Sequence, residues 1–137
     1  GPHRSMVLEA EPFRVEVEAS KLEDLQHRLS TARIAAENVE APGLDPNGAW
    51  AYGTDRTTLE LYLGRWRNGF DWQSQQDALN ALPHFTASHR GLRTHFIHTR
   101  SGAADAIPLL LVHGWPGSVV EFLRAVPLLT AAGFDVV

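Results

Sequence analysis

The ten residues 109–118, Leu-Leu-Leu-Val-His-Gly-Trp-Pro-Gly-Ser, carry the strongest chemical signal in this sequence. Their first four residues are apolar and predict a strand that is buried on both faces, as in parallel sheets. The glycines and proline of 113–117 predict a sharp turn, and Ser118 with Glu121 forms the S-x-x-E pattern that opens a helix. Main-chain N–H groups at such a strand-to-helix turn lack intrahelical partners. The turn can therefore hold an oxyanion or a polarised oxygen.

Three histidines near this run are weaker candidates. His113 ends the predicted strand just before a glycine, which favours a neutral ring that supports the turn rather than a catalytic base. His95 and His98 have a spacing found in metal motifs, but residues three apart in a strand point to opposite faces. The chain contains no cysteine, and no carboxylate completes a ligand set. We therefore expect no metal site and a structural role for each histidine.

Acidic and aromatic residues in the first half of the chain also have structural interpretations. Asp71 is predicted to cap a helix, and Asp77 is predicted to be a solvated charge. Four aromatic residues have the composition of a carbohydrate platform, but their helical spacing favours packing. They are Trp50, Trp66, Phe70 and Trp72.

Length and composition indicate a globular protein. The chain has 137 residues, of which 44% are hydrophobic and 20% charged, so it is long enough to form a core. The net charge of −4 favours neither nucleic acid nor anionic lipid as a partner. No apolar run approaches the roughly 18 residues that a membrane span needs. Residues 1–6 are interpreted as a cloning scar before a native start near Met6.

The hydrophobic spacing changes at Pro83 from a helical to an extended pattern. Before Pro83 we expect a strand in which Phe13, Val15 and Val17 share one face, then three helices, the first two separated by a long irregular connection over 38–54. The helices are predicted at about 21–35, from Thr57 or Thr58 to Asn68, and from Asp71 to Pro83. After Pro83 we expect a hairpin over 85–99 with its turn at 89–91, the strand 109–112, a helix after Ser118 and a strand from Phe134. We expect these strands to follow one another across the sheet in chain order.

The sequence His-Gly-Trp-Pro-Gly-Ser, followed by Glu121-Phe122, resembles the microsomal-type epoxide hydrolases, which are α/β-hydrolases. The resemblance extends from about Pro12 to the end of the chain. Because His-Gly-x-Pro alone is shared with dehalogenases and other hydrolases, the specificity comes from an ordered set of further motifs. These are Phe13-Arg14-Val15, Leu25…Arg28-Leu29…Thr31-Ala32-Arg33, Trp66…Gly69-Phe70-Asp71-Trp72, Leu79-Asn80, Gly91-Leu92 and His95-Phe96-Ile97-His98.

This resemblance implies an α/β fold in truncated form. A helical N-terminal region over 7–83 would be followed, over 84–137, by the opening β-β-β-α-β of an α/β-hydrolase sheet. The parent enzyme would convert an epoxide to a vicinal diol through an aspartyl-ester intermediate, with no metal or organic cofactor.

The resemblance also implies roles for residues of the turn. The main-chain N–H of Trp115 would be one of two donors of the oxyanion hole, and His113, Gly114 and Pro116 would support the turn, with a cis peptide before Pro116. The nucleophile of this fold lies between two glycines that are four positions apart, and no two glycines of this chain have that spacing. We therefore expect this chain to be inactive alone.

Two alternatives stay open at this point. One is another hydrolase of the same fold, such as an esterase or a dehalogenase, and the other is a stand-alone, non-catalytic interaction module. The expected partners are a small-molecule epoxide for the parent enzyme, and self-association or the remainder of the hydrolase for this chain, without nucleic acid or membrane. Animal members of the resembled family carry a membrane anchor that this sequence does not show, which leads us to expect a bacterial, cytoplasmic protein.

Overall fold

The computed structural model describes residues 9–35, 50 and 53–137. The interpretation of residues 1–6 as a cloning scar and most of the irregular connection predicted over 38–54 lie outside the described residues. The chain divides into two compact units. The helical unit is Val17–Trp72, and the sheet unit combines Gly1–Glu16 with Gln73–Val137.

The helical unit contains α1 (Ala19–Ser30) and α2 (Arg56–Gly69). The first predicted helix is confirmed, but it ends at Ser30 instead of near residue 35. At this end the hydroxyls of Ser30 and Thr31 both donate to the His27 carbonyl, at 2.7 and 2.9 Å. Side-chain bonds of this kind offer the backbone an alternative to further helix, so α1 stops here.

The N-terminus of α2 is capped by Asp55 and not by a threonine. The Asp55 carboxylate accepts from the Thr58 N–H at 2.9 Å and from the Thr58 hydroxyl at 3.1 Å. These bonds stabilise the ionised carboxylate, and the pKa of Asp55 is lowered chiefly by the bond from the Thr58 N–H. The sequence analysis placed the helix start at a threonine because threonine also caps helices.

The apolar residues of α2 are largely exposed. The helix has no buried residue, and the exposed fractions of Leu61, Tyr62 and Trp66 are 72%, 64% and 45%. Trp50 and Phe70 are 55% and 45% exposed. Of the four aromatic residues that were predicted to pack, Trp72 is half-buried, whereas Trp50, Trp66 and Phe70 remain exposed among the described residues.

The sheet unit begins with an antiparallel sheet of three strands in the order β1-β2-β3. The strands are β1 (Ala10–Phe13), β2 (His84–His89) and β3 (Leu92–Ile97). The predicted hairpin is confirmed: Arg90 and Gly91 connect β2 to β3 with φ angles of 50° and 79°. Positive φ at both central residues gives the turn the twist of the flanking strands, and glycine adopts it without strain.

The first strand lies earlier in the chain than predicted. It ends at Phe13, which pairs with His84, and does not continue to Val17. The Asn80 side chain bonds the main chain of Val15 twice, accepting from its N–H at 2.9 Å and donating to its carbonyl at 2.8 Å. Because this amide replaces a neighbouring strand, the ladder ends while the backbone groups remain paired.

The last two strands, β4 (Ile107–Leu109) and β5 (Phe134–Val136), are parallel. The predicted strand order is wrong here. A bridge between Thr99 and Val136 places β5 between the end of the hairpin segment and β4. The connection from β4 through α4 therefore places β5 on the side of β4 that faces Thr99, as a crossover through a helix can.

The prediction that residues 109–112 are buried on both faces is also wrong. Leu109 ends β4, although Leu111 still donates its N–H to the Val137 carbonyl at 2.8 Å. The side chains of Leu110 and Val112 are 71% and 76% exposed, whereas Leu109 and Leu111 are half-buried. An apolar run is buried only where another element packs against it, and no described element covers the side chains of Leu110 and Val112.

The helix predicted after Ser118 is divided in two. A 3₁₀ turn (Val119–Phe122) is followed by α4 (Ala125–Ala131). Pro127 explains the division, because proline in a helix interior loses a hydrogen bond and clashes with the preceding turn, whereas the first turn tolerates it. Starting the α-helix at Ala125 places Pro127 in that first turn.

The third predicted helix is α3 (Trp72–Leu79), which starts directly after Asp71. Because β1 pairs with β2, a strand from the predicted N-terminal region belongs to the same compact unit as the predicted hydrolase part. The boundary between residues 83 and 84 stays a prediction. No helix among the described residues is long and apolar enough to span a membrane.

Candidate active-site turn

The turn over 113–117 connects the strand segment after β4 to the 3₁₀ turn. Its Trp115–Pro116 peptide is cis, as predicted. The Gly117 N–H donates to the Gly114 carbonyl at 2.7 Å and closes the turn. The chain thus makes a tight turn between the end of β4 and the start of the 3₁₀ turn.

Ser118 caps the 3₁₀ turn, but the hydrogen bonds of the described residues do not include the return bond from Glu121 that the predicted capping box requires. The Ser118 hydroxyl accepts from the Val120 N–H at 3.3 Å, and its carbonyl accepts from the Glu121 N–H at 3.1 Å. The Glu121 carboxylate lies where a Cβ on Gly117 would be, and the Gly114 carbonyl oxygen is 3.0 Å from the same point. A side chain at position 117 would therefore displace this carboxylate and press on the turn.

Trp115 projects its indole into solvent and is 96% exposed. Among the hydrogen bonds of the described residues, none uses the Trp115 N–H. A main-chain donor at a strand-to-helix turn without an internal acceptor can bind an external oxygen. This geometry is compatible with the role that the resemblance implies for Trp115, and that role stays a prediction.

His113 is exposed, and its Nδ1 lies 3.2 Å from the Gly114 carbonyl oxygen. The ring donates from Nδ1 when it makes this bond, because a carbonyl can only accept. The structure thus places His113 against the turn that it is predicted to support. No carboxylate is bonded to this ring within the described part of the chain, so nothing there activates it as a base.

An apolar groove of about 250 Å³ lies beside the turn. Its walls come from β3, from residues 110–113, from the 3₁₀ turn and from the α4–β5 pair. The exposed side chains of Leu110 and Val112 form part of its lining, and His113 is its polar member nearest to the turn. The candidate site therefore opens onto an apolar surface.

Of the other predicted candidates, His95 lines the same groove as His113 but does not bond the turn. His95 and His98 are held by different neighbours: His98 contacts the Phe85 ring, whereas His95 Nε2 lies 2.9 Å from His84 Nδ1. Among the described residues no group of three side chains could hold a metal ion. Asp77 accepts from the Gln73 amide at 2.9 Å on an exposed helix face.

Two groups that the sequence analysis did not single out have defined partners. His84 is buried beside His95, and this pair follows from the hairpin register once the turn at Arg90 and Gly91 is placed. Asp135 Oδ1 accepts from the Ser101 N–H at 2.8 Å and from the Ser101 hydroxyl at 3.0 Å. No local pattern signals this second contact, because the partners are 34 positions apart.

Solved structures show which fold this arrangement belongs to. An epoxide hydrolase from Aspergillus niger superposes with a TM-score of 0.80 at 31% identity, over 93% of this chain and 34% of that chain. The juvenile hormone epoxide hydrolase of the silkworm Bombyx mori also gives a TM-score of 0.80, at 30% identity, over 95% of this chain and 34% of its own. The chain therefore has the fold of the N-terminal part of an α/β-hydrolase.

The sequence relationships identify the family. Residues 10–122 match the family described as "Epoxide hydrolase N terminus". Epoxide hydrolase 1 of Oryctolagus cuniculus is 39% identical over 123 residues, which cover 87% of this chain and 26% of that protein. The chain belongs to the microsomal-type epoxide hydrolase family. It spans about a quarter of the length of the curated relatives that it matches.

Proposed function

We propose that the polypeptide of which this sequence is the N-terminal part hydrolyses epoxides to vicinal diols. The supporting observation is the Trp115 N–H, which lies at a strand-to-helix turn with no acceptor among the described residues, in a chain whose relatives are named epoxide hydrolases. In the proposed reaction an aspartate of the remaining polypeptide attacks an epoxide carbon. The C–O bond breaks, and the oxygen takes a proton from tyrosine donors.

The second step of the proposed reaction hydrolyses the resulting ester. A histidine assisted by an acid removes a proton from water, and the hydroxide adds to the ester carbonyl. Negative charge develops on the carbonyl oxygen, and the Trp115 N–H stabilises it as one of two donors. Breakdown of this intermediate releases the diol and restores the aspartate, and the proton that the histidine took from water replaces the one that the tyrosines gave, so no metal or cofactor takes part.

A backbone donor is tested by removing the N–H while keeping the enzyme folded. In the complete enzyme, Trp115→Pro deletes the donor, and we expect kcat to fall by roughly 10²–10³-fold. Trp115→Phe is the matched control, because it keeps the N–H and changes only an exposed ring. Equal losses of kcat in both variants, with unchanged circular dichroism, would contradict the role of the N–H.

The chain of 137 residues is expected to be inactive by itself. It has no pair of glycines with the spacing of the nucleophile turn, and loss of the nucleophile removes several orders of magnitude of rate. Diol formation from styrene oxide measures this directly. Turnover above the buffer rate that persists after repurification would show that the residues of this chain suffice.

We also propose that the isolated chain self-associates through the outer edge of β4. The Leu109 carbonyl and the Leu111 N–H both bond the main chain of Val137. The backbone N–H and carbonyl of the alternate residue, Leu110, therefore face the opposite, outer side. Leu110 and Val112 expose their side chains at the same edge. An unpaired, uncharged strand edge is a template for another chain.

Size-exclusion chromatography with light scattering tests this second proposal. We expect a mass above 15.1 kDa at micromolar concentration, and Val112→Asp to restore the monomer. Leu128→Asp is the control, because Leu128 is 73% exposed and belongs to α4, not to the strand segment 107–112. A wild-type monomer would refute self-association and favour the stand-alone interaction module. Bacterial origin and cytoplasmic location stay predictions.

A further inference from the structure

The sheet unit contains a pair of histidines, His84 buried and His95 half-buried, that the proposed reaction does not use. His84 is 4% exposed, and its Nδ1 lies 2.9 Å from Nε2 of His95. The second ring nitrogen of His84, Nε2, lies 2.7 Å from the carbonyl oxygen of Leu79 at the end of α3. The two rings are stacked with centroids 5.1 Å apart, and the edge of Phe13 meets the ring of His95 at 5.2 Å.

The contacts determine where the protons must lie. A carbonyl oxygen can only accept, so Nε2 of His84 carries a hydrogen. In the neutral ring Nδ1 of His84 is then an acceptor, and Nε2 of His95 must donate to it. A third proton, on Nδ1 of His95 or shared between the rings, leaves both hydrogen bonds in place.

A fourth proton does not fit this arrangement. When both rings are cationic, the two nitrogens that are 2.9 Å apart both carry hydrogens, and the bond between the rings becomes a repulsive contact. Burial already lowers the pKa of His95, and the neighbouring His84 lowers it further. The stacked geometry therefore tolerates one additional charge and excludes two.

Other titratable and charged groups near the pair do not compensate this charge, and one of them is a further histidine, His113, which lines the same groove as His95. The strand register aligns Glu11 with Thr86 and Thr86 with His95, so Glu11 lies on the same sheet face, two strands away. Arg93, also on this face, lies 6.0 Å from the Phe13 ring centroid and donates to the Thr86 hydroxyl. On α3, Asp77 bonds Gln73. Among the described residues no carboxylate contacts either imidazole through a hydrogen bond or ion pair.

The pair lies where three segments of the sheet unit meet. His84 joins β2 to the end of α3, and the next residue of that end, Asn80, bonds the main chain of Val15. The carbonyl of Pro83 accepts from the His98 N–H at 3.1 Å. Repulsion between two charged rings would displace His84 and with it the bond from its Nε2 to the Leu79 carbonyl, which would loosen the link from α3 to the hairpin and to the segment after β1.

We propose that the His84–His95 pair is a pH-sensitive clasp between the end of α3 and the β2–β3 hairpin. The clasp is closed while the pair carries at most one additional proton, and it opens when both rings are charged. A histidine whose pKa is lower in the folded state stabilises the fold above its unfolded pKa of about 6.5, and this stability is lost as the pH falls. Acid is therefore the signal that opens the clasp.

Nuclear magnetic resonance of the unaltered chain tests the proton arrangement. At about pH 8, nitrogen shifts should identify the Nε2–H tautomer in both rings, and acidification should protonate the pair in two separated steps. The amide protection factor of Val15 should survive the first step and fall with the second. An Nδ1–H tautomer of neutral His84, or two independent steps at the ordinary histidine pKa, would overturn the clasp.

Variants separate the clasp from general acid sensitivity. We expect the unfolding constant of the wild type to rise by up to about tenfold per pH unit between about pH 6.5 and 5. Gln at position 95 does not titrate, and its amide can rotate from donating to Nδ1 of His84 to accepting from a protonated Nδ1, so His95→Gln should reduce this slope to less than about half. A slope for His95→Gln that equals the wild-type slope would overturn the proposal.

Two controls accompany this variant. His27→Gln removes an exposed histidine of α1 and should leave the slope unchanged. Asn80→Ala should abolish the protection of Val15 at every pH while keeping the slope, because it breaks the junction without altering the rings. A flattened slope in either control, equal to that of His95→Gln, would mean that the pH dependence does not come from the pair.

Discussion

The two units of this chain differ in how much of their own apolar surface they bury. The helical unit has one fully buried apolar residue among its described positions, Leu29, at 5% exposure. The buried residues of the sheet unit come from two strands of the hairpin, from α4 and from β5. They are His84, Thr86, Ile97, Val126 and Val136. Among the described residues, the helical unit thus buries a single side chain, whereas the sheet unit distributes its burial over several elements.

Polar contacts partly replace packing in the helical unit. The guanidinium of Arg67, in the last turn of α2, donates from Nε and Nη2 to the carbonyl of Leu29. This carbonyl is among the last four of α1, which have no intrahelical partner. The same residue thus supplies both the buried side chain and the acceptor that links the two helices.

The largest effect that we expect is from Leu29→Ala. Removing a buried leucine typically costs about 2–5 kcal/mol of unfolding free energy. Because no second buried apolar side chain supports the described helical unit, we expect α1 and α2 to lose helicity while the hairpin amides of the sheet unit keep their protection. Circular dichroism at 222 nm together with hydrogen exchange measures both responses.

Leu61→Ala is the matched control for this experiment, since Leu61 is a leucine of the same unit that is 72% exposed. Its cost should remain within about 0.5 kcal/mol. If Leu29→Ala also exposes the hairpin amides, then the two units unfold as one, and the contrast between them does not extend to their stability.

The contrast also explains which features could be predicted from the sequence. The hairpin was predictable because the turn at Arg90 and Gly91 lies between two extended apolar patterns, and such signals are local. The strand-to-helix turn at 113–117 was predictable for the same reason. The resemblance to a family supplied its chemical interpretation, which local patterns alone do not contain.

Features that depend on distant residues were not predictable. Periodicity shows that α2 has an apolar side, but it does not show whether anything covers that side, and Tyr62 is 64% exposed. The position of β5 between Thr99 and β4 depends on the bridge between Thr99 and Val136, and no local sequence signal marks this bridge. The pair of His84 and His95 follows only once the strand register is known.

A smaller effect is expected from Val136→Ala in the sheet unit. Val136 is 1% exposed, and its backbone also pairs with Thr99 in both directions, at 2.8 and 2.9 Å. Removing the two buried methyl groups of Val136 and leaving a cavity should lower the free energy of unfolding by about 2–3 kcal/mol. The remaining buried residues and the ladder should keep the unit folded, so urea unfolding should show a lower midpoint with the same steepness.

Leu128→Ala provides the comparison for this variant, because Leu128 is 73% exposed on α4 and alanine suits a helix. Its midpoint should be close to that of the wild type. A loss of all hairpin protection in Val136→Ala would show that the sheet unit, like the helical unit, depends on one side chain.

The smallest effect concerns the loop contact of the sheet unit between Asp135 and Ser101. The pKa of Asp135 is lowered chiefly by the bond from the Ser101 N–H, then by the Ser101 hydroxyl and by the charges of Arg100 and His98. A carboxyl group with a lowered pKa stabilises the folded state above its unfolded pKa of about 3.9, and this stabilisation is lost as the pH falls through the folded value. The helical unit has its counterpart in Asp55 at the start of α2, which is held in the same way by Thr58.

Asp135→Asn removes the titration and keeps an oxygen that can accept one bond. We expect the variant to be slightly less stable than the wild type near neutral pH, and the difference to disappear in acid below about pH 3.9, where the wild-type carboxyl becomes protonated. Asp105→Asn, in an exposed loop of the same unit, should not show this convergence. The carboxyl carbon shift of Asp135 gives the midpoint directly. A midpoint at or above about 3.9 would show that the bonds from Ser101 do not stabilise the charged form of Asp135. A stability difference that does not change with pH would show the same.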